Sequence, residues 1–155
     1  MVDVGAEAPD FTLRDQHGQE LILSKFRGEK AVVLMFYPFA FSGVCTGELC
    51  EVRDRQSNFD DEDVHLAAIS CDPVYSLRAF ADRDALFFPL LSDFWPHGAV
   101  SKAYGVFDEE RGCARRSTFI VDKAGVIRWS VHNAMPEARD LSDQIAILEN
   151  LRAGR

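Results

Sequence analysis

The chain has 155 residues, 47% apolar and 27% charged, with a formal net charge of −8. This size and mix describe one soluble domain over residues 1–155 that buries a core without disulfide staples. The negative balance disfavours a nucleic-acid or anionic-membrane partner, and no apolar run approaches the ~20 residues of a membrane-spanning helix.

The opening eleven residues carry Asp3, Glu7 and Asp10. They lack the basic and apolar regions of a secretory signal, so a cytoplasmic location is expected. Residues 11–14 and 21–23 read as two short strands around a turn at 15–19, where Gly18 permits positive φ. Residues 31–37 form a near-continuous apolar run, the pattern of a central strand covered on both faces. A helix is predicted over 45–59 and a second buried strand over 64–70, ended by Cys71-Asp72-Pro73. Residues 74–85 have helical spacing, 87–91 read as a short strand, and 100–104 as a short helix stopped by Gly105. Strands at 117–121 and 126–130 flank a hairpin loop, and residues 140–151 form a last helix with Leu141, Ile145, Leu148 and Leu151 on one face. The order is a β-hairpin, a βαβ unit and a ββα end. It predicts an α/β, thioredoxin-like fold, with an N-terminal β-hairpin and a central mixed β-sheet flanked by helices.

The most informative residue is Cys45. It follows the 31–37 strand and the run Pro38-Phe39-Ala40-Phe41-Ser42-Gly43-Val44, near the start of the next helix. Unpaired amide N–H groups and the positive end of the helix dipole favour a thiolate there, and the thiolate is the reactive form of cysteine. Open α/β sheets place their sites at this end of a central strand.

The spacing Pro38-x-x-x-Ser42-x-x-Cys45, with Glu48 three residues on, resembles the active-site signature of peroxiredoxins, with Ser42 where Thr is commoner. The segment Arg116-Ser117-Thr118-Phe119-Ile120-Val121-Asp122 resembles the strand that carries the active-site arginine of that family. Gly5-x-x-Ala8-Pro9-Asp10-Phe11 and Pro89-Leu90-Leu91-Ser92-Asp93 are also peroxiredoxin-like. The stretch Phe94-Trp95-Pro96-His97-Gly98 resembles the AhpE-type, one-cysteine branch of actinobacterial peroxiredoxins.

The resemblance implies a thiol peroxidase that reduces hydrogen peroxide and organic hydroperoxides with no bound cofactor. A thiolate attacks one oxygen of the O–O bond, and charge moves onto the leaving oxygen. The reaction needs a deprotonated sulfur, donors aimed at the developing oxyanion, and shielding from over-oxidation. Cys45 is then the nucleophile. Arg116 favours the thiolate and donates to the peroxide, and Ser42 bridges sulfur and substrate. Pro38 forms an apolar wall with no N–H to compete, and Glu48 orients Arg116. Phe39, Phe41 and Val44 are expected to make the mouth apolar. The resemblance also implies a homodimer and an external reductant of the thioredoxin or mycothiol/mycoredoxin type.

Cys50 lies five residues past Cys45. On one helix their Cα atoms sit ~8.7 Å apart, beyond the ~7 Å a disulfide tolerates, so a bond between them requires unwinding. The spacing resembles the resolving-cysteine arrangement of bacterioferritin-comigratory-type peroxiredoxins. Resolution by Cys50 and by an external thiol both stay open. Cys71, at a strand end, reads as core. Cys113 reads as an exposed thiol in the polar segment 109–116. The four histidines show no metal-ligand spacing with the cysteines, so no zinc site is expected. Two other functions compete with the peroxidase. One is a peroxide-sensing relay that passes oxidation to a partner protein. The other is a disulfide reductase, disfavoured because Cys-x-x-Cys is absent.

Overall fold

The computed structural model describes residues 2–55, 61, 63–134 and 141–152. Strand β3 (Ala31–Phe36) is the centre of the sheet, and every one of its residues is buried. It pairs in parallel with β4 (Val64–Ser70) and antiparallel with β8 (Ser117–Val121). Strand β5 (Leu90–Ser92) extends the sheet parallel to β4. The hairpin of β1 (Thr12–Arg14) and β2 (Glu20–Ile22) closes one edge, and β9 (Ile127–His132) closes the other. The seven-stranded order is β2-β1-β5-β4-β3-β8-β9. This is the mixed sheet with an N-terminal hairpin that the element order predicts.

The alternation of β3 divides the core in two. Ala31, Val33 and Met35 point into a cluster with Leu49 and Val52 of α1 (Gly43–Asp54), Leu77 and Phe80 of α2 (Val74–Asp84), and Leu148 of α4 (Leu141–Arg152). Val32, Leu34 and Phe36 point the other way, into a cluster with Phe11, Tyr104 and Phe119 that α3 (Ala99–Ala103) borders through Val100. A strand buried on both faces cannot alternate polar and apolar residues, which is why it reads as an unbroken apolar run.

The remaining differences from expectation are local. The second strand stops at Ile22 because residues from Leu23 to Phe26 wind into a 3₁₀ turn. The strand expected over 87–91 forms at Leu90–Ser92. Phe87 is exposed, and Pro89 has no N–H to give the ladder. Helix α1 begins at Gly43, two residues before Cys45. It ends at Asp54, short of the expected Phe59, with Arg55 as a non-helical C-cap (φ −111°, ψ 24°); residues 56–59 of the expected span, like the start of α4 at Asp140, lie outside the described residues. The polar segment 109–116 hides a two-residue pairing of β6 (Phe107–Asp108) with β7 (Cys113–Ala114).

Candidate active site

The site assembles where β3 ends. The β3–β8 register sets Ser117 beside Phe36, so Arg116 stands at the level of the strand exit. From that exit Pro38, Phe39, Ala40 and Phe41 lead into α1. Asp72, just past β4, fixes this loop: its Oδ2 accepts the Ala40 N–H at 2.8 Å and the Ser70 hydroxyl at 2.7 Å. Phe41 has φ +69°, a left-handed conformation that costs a residue of its size ~1–3 kcal/mol. Packing holds it there. Its ring lies 5.1 Å from that of Phe80, and the Arg83 guanidinium sits 4.8 Å above its centroid. Phe41 therefore turns toward α2. The cavity mouth expected to include it is built without it.

Ser42 is the N-cap of α1, extended at φ −69° and ψ 147°, and its carbonyl accepts the Thr46 N–H at 2.8 Å. Its hydroxyl makes no capping bond, so it remains available to the cavity beside it. Cys45, Glu48, Leu49 and Val52 are the buried stripe of the helix, at the spacing that brings side chains onto one face. Cys45 has 0% exposure. One Arg116 nitrogen lies 3.2 Å from the Cys45 Sγ. The other donates to Glu48 Oε1 in a buried ion pair, with side-chain exposures of 2% and 1%. Arg116 is thus clamped between a carboxylate and the sulfur, with no water to dilute its field.

A cavity of about 200 Å³ opens beside Arg116 and Ser42, and the fully buried Cys45 sulfur lies behind that lining, 3.2 Å from Arg116. Pro38, Phe39 and Val44 give it apolar walls, and Ser42, Arg116 and Arg111 line its polar side. The structure brings Cys45, Arg116, Ser42, Pro38 and Glu48 together. Cys50 sits on the same helix but about 140° around it from Cys45, partly exposed on an unbroken α1. Among the described residues no group of three or more His, Cys, Asp or Glu side chains lies together as a metal site. Nor is any helix among them long and apolar enough to cross a membrane.

The other two cysteines are buried. Cys71 packs 4.0 Å from the Ser101 hydroxyl, and desolvation, reinforced by the Asp93 charge, pushes its thiol up to about 12. Cys113 was expected at the surface and is instead fully buried in β7. Burial, then the Asp108 charge, pushes it up to about 11, and its sulfur lies within electrostatic reach of Cys45 and Asp72. Charged neighbours on both sides of Cys113-Ala114 conceal this burial in the sequence. The roles of Asp72 and Arg111 also escape sequence reasoning. Asp72 had a signal as the carboxylate ending a buried strand, whereas Arg111 had only its place in a basic cluster.

Residues 4–130 match the AhpC/TSA family. Alkyl hydroperoxide reductase E of Mycobacterium tuberculosis (strain ATCC 25618 / H37Rv) is 51% identical over 140 residues, which cover 90% of this chain and 92% of that protein. Among solved structures, the peroxidoxin BcpB of Mycobacterium tuberculosis is similar with a TM-score of 0.83 and 32% identity, covering 100% of this chain and 99% of that one. The mitochondrial 2-Cys peroxiredoxin of Plasmodium falciparum gives a TM-score of 0.84 at 29% identity, with 96% and 94% covered.

Proposed function

This chain belongs to the AhpC/TSA family and is a thiol-dependent peroxidase, and on that premise we propose that Cys45 is its nucleophile and Arg116 its transition-state donor. The observation that carries this reading is the Arg116 guanidinium held between Glu48 and the Cys45 sulfur. The Cys45 thiolate attacks one peroxide oxygen, the O–O bond breaks, and the departing alkoxide or hydroxide takes a proton to leave as alcohol or water. The sulfur is oxidised to a sulfenic acid. Arg116 donates to the oxygen that gains charge, Ser42 adds a hydroxyl donor, and free N–H groups of the first turn of α1 add more. A second thiol then attacks the sulfenic sulfur, releasing water and forming a disulfide.

That second thiol comes from Cys50, after α1 unwinds, or from an external reductant of the thioredoxin or mycothiol/mycoredoxin type. The protein acts as a homodimer in this reading. A groove containing Pro73, Val74, Tyr75, Phe94 and Trp95 supports it: Tyr75 is 88% exposed and Trp95 83%, and clustered exposed aromatics mark interaction surfaces. Peroxide consumption over many cycles, with thiol in excess, tests the assignment. The wild-type protein sustains turnover and Cys45→Ser does not. A wild-type protein that stalls after one equivalent would contradict it and point to a sensor.

A further inference from the structure

The cavity lined by Ser42 and Arg116 holds a second guanidinium that the reaction above leaves unused. Arg111 lines it with Arg116, Phe39 and Val44. A tight turn fixes its backbone. Asp108 Oδ1 accepts the N–H groups of Glu110 at 3.0 Å and Arg111 at 3.1 Å. Gly112, at φ +69°, returns the chain to β7 with its N–H on the Asp108 carbonyl at 2.8 Å. His97 Nε2 lies 2.7 Å from the Gly112 carbonyl oxygen and braces the turn from outside.

The Arg111 side chain is exposed, and among the described residues no carboxylate pairs with it. Arg27, Arg53, Arg78, Arg83 and Arg128 each lie within ion-pair distance of one; among the described residues Arg14, Arg55 and Arg115 do not, and of these unpaired arginines Arg111 is the one that lines the cavity. In a protein of net charge −8, a guanidinium left without a partner at the rim of a reactive cavity is a local attractor for anions. Its field reaches inward as well, opposing the effect of burial on Cys113.

We propose that Arg111 is a specificity-determining residue, which holds the carboxylate of an organic hydroperoxide while the peroxide end reaches Cys45. The proposal rests on Cys45 being the nucleophile. Arg116 takes the peroxide oxygens, Arg111 the carboxylate, and Phe39 and Val44 flank the carbons between. The cavity of about 200 Å³ leaves room for a short chain between the two guanidinium groups. The reaction is unchanged: the thiolate takes one oxygen, the hydroxy acid leaves after protonation, and the carboxylate keeps its charge.

The test compares a short hydroperoxy acid with its methyl ester in single turnovers without reductant, reading sulfenic acid formation at Cys45. At low ionic strength the wild-type protein should react about 1.5- to fivefold faster with the acid, the range an exposed ion pair supports. Added salt should shrink that ratio. Arg111→Gln should bring it to about one, and Arg111→Lys should restore most of it. Equal rates for acid and ester in the wild-type protein would overturn the proposal. So would an Arg111→Gln variant that slows acid, ester and hydrogen peroxide in step. A preference for anions seen only when a carboxylate-bearing thiol reduces the oxidised enzyme would overturn it too. Sulfenic acid formed elsewhere than Cys45 would bring down the nucleophile assignment and this proposal together, a failure distinct from the others.

Discussion

Arg116 shows how much one side chain carries. Its two ends serve different partners: Glu48 fixes the orientation, and the Cys45 sulfur receives the charge. Because the pair is desolvated, removing either member leaves a buried charge without its partner. Arg116→Ala should therefore lose rate for a reason that pH cannot repair. Losing one preorganised donor typically costs ~10²–10³ in rate. Hydrogen peroxide rates measured up to a pH where the Cys45 thiolate is fully formed check this. Full recovery at high pH would leave Arg116 with no transition-state role. The two buried cysteines make the opposite point. With a thiol raised to about 12, Cys71 at pH 8 is thiolate in only about one molecule in 10⁴, and burial blocks access as well. Cys71 and Cys113 should resist iodoacetamide in the folded protein and react once it is denatured, as mass mapping of the alkylated peptides would report.

Helix α1 carries both sulfurs that could form a disulfide, and its regularity keeps them apart. Cys45 belongs to the buried stripe and Cys50 to its flank. Gly47 between them weakens the helix by up to ~1 kcal/mol relative to alanine. If Cys50 resolves the sulfenic acid, the first turns must open. Oxidised protein should then show faster amide exchange over residues 46–53 and an internal Cys45–Cys50 disulfide. Cys50→Ser should over-oxidise to the sulfinic acid at lower peroxide. A free Cys50 thiol beside an oxygenated Cys45 would reject this route and leave the external thiol. The sheet elements were legible because each burial pattern leaves its mark. The both-sided β3 reads as one apolar run, and α1 shows its stripe at positions 45, 49 and 52. Two-residue strands such as β6 and β7 are too short to show a period. A left-handed Phe41 cannot be read either, since packing on Phe80 and Arg83 decides it.

At the scale of the whole molecule, the site is an achievement of register. Residues 71 positions apart in sequence meet because Arg116 stands just before β8, and β8 pairs with the strand that leads into Cys45. Only the family resemblance pointed to Arg116 in advance; spacing alone would not select it from Arg111, Arg115 and Arg116. Asp72 and Arg111 depend on three-dimensional proximity that no local pattern encodes. The exposed aromatic groove at Tyr75 and Trp95 belongs to this scale as well. In sedimentation equilibrium the wild-type protein should run as a dimer and Trp95→Arg should shift toward monomer. A wild-type monomer would remove the homodimer from the account.

The central claim is that peroxide oxygen lands on the sulfur that Arg116 faces. One equivalent of hydrogen peroxide, added to the fully reduced protein with a sulfenic-acid trap present, followed by peptide mapping, measures this directly. The account predicts the trapped adduct on the peptide containing Cys45 in the wild-type protein and no adduct on any cysteine in Cys45→Ser. An adduct at Cys71, Cys113 or Cys50 in the Cys45→Ser variant, formed at the wild-type rate, would contradict it.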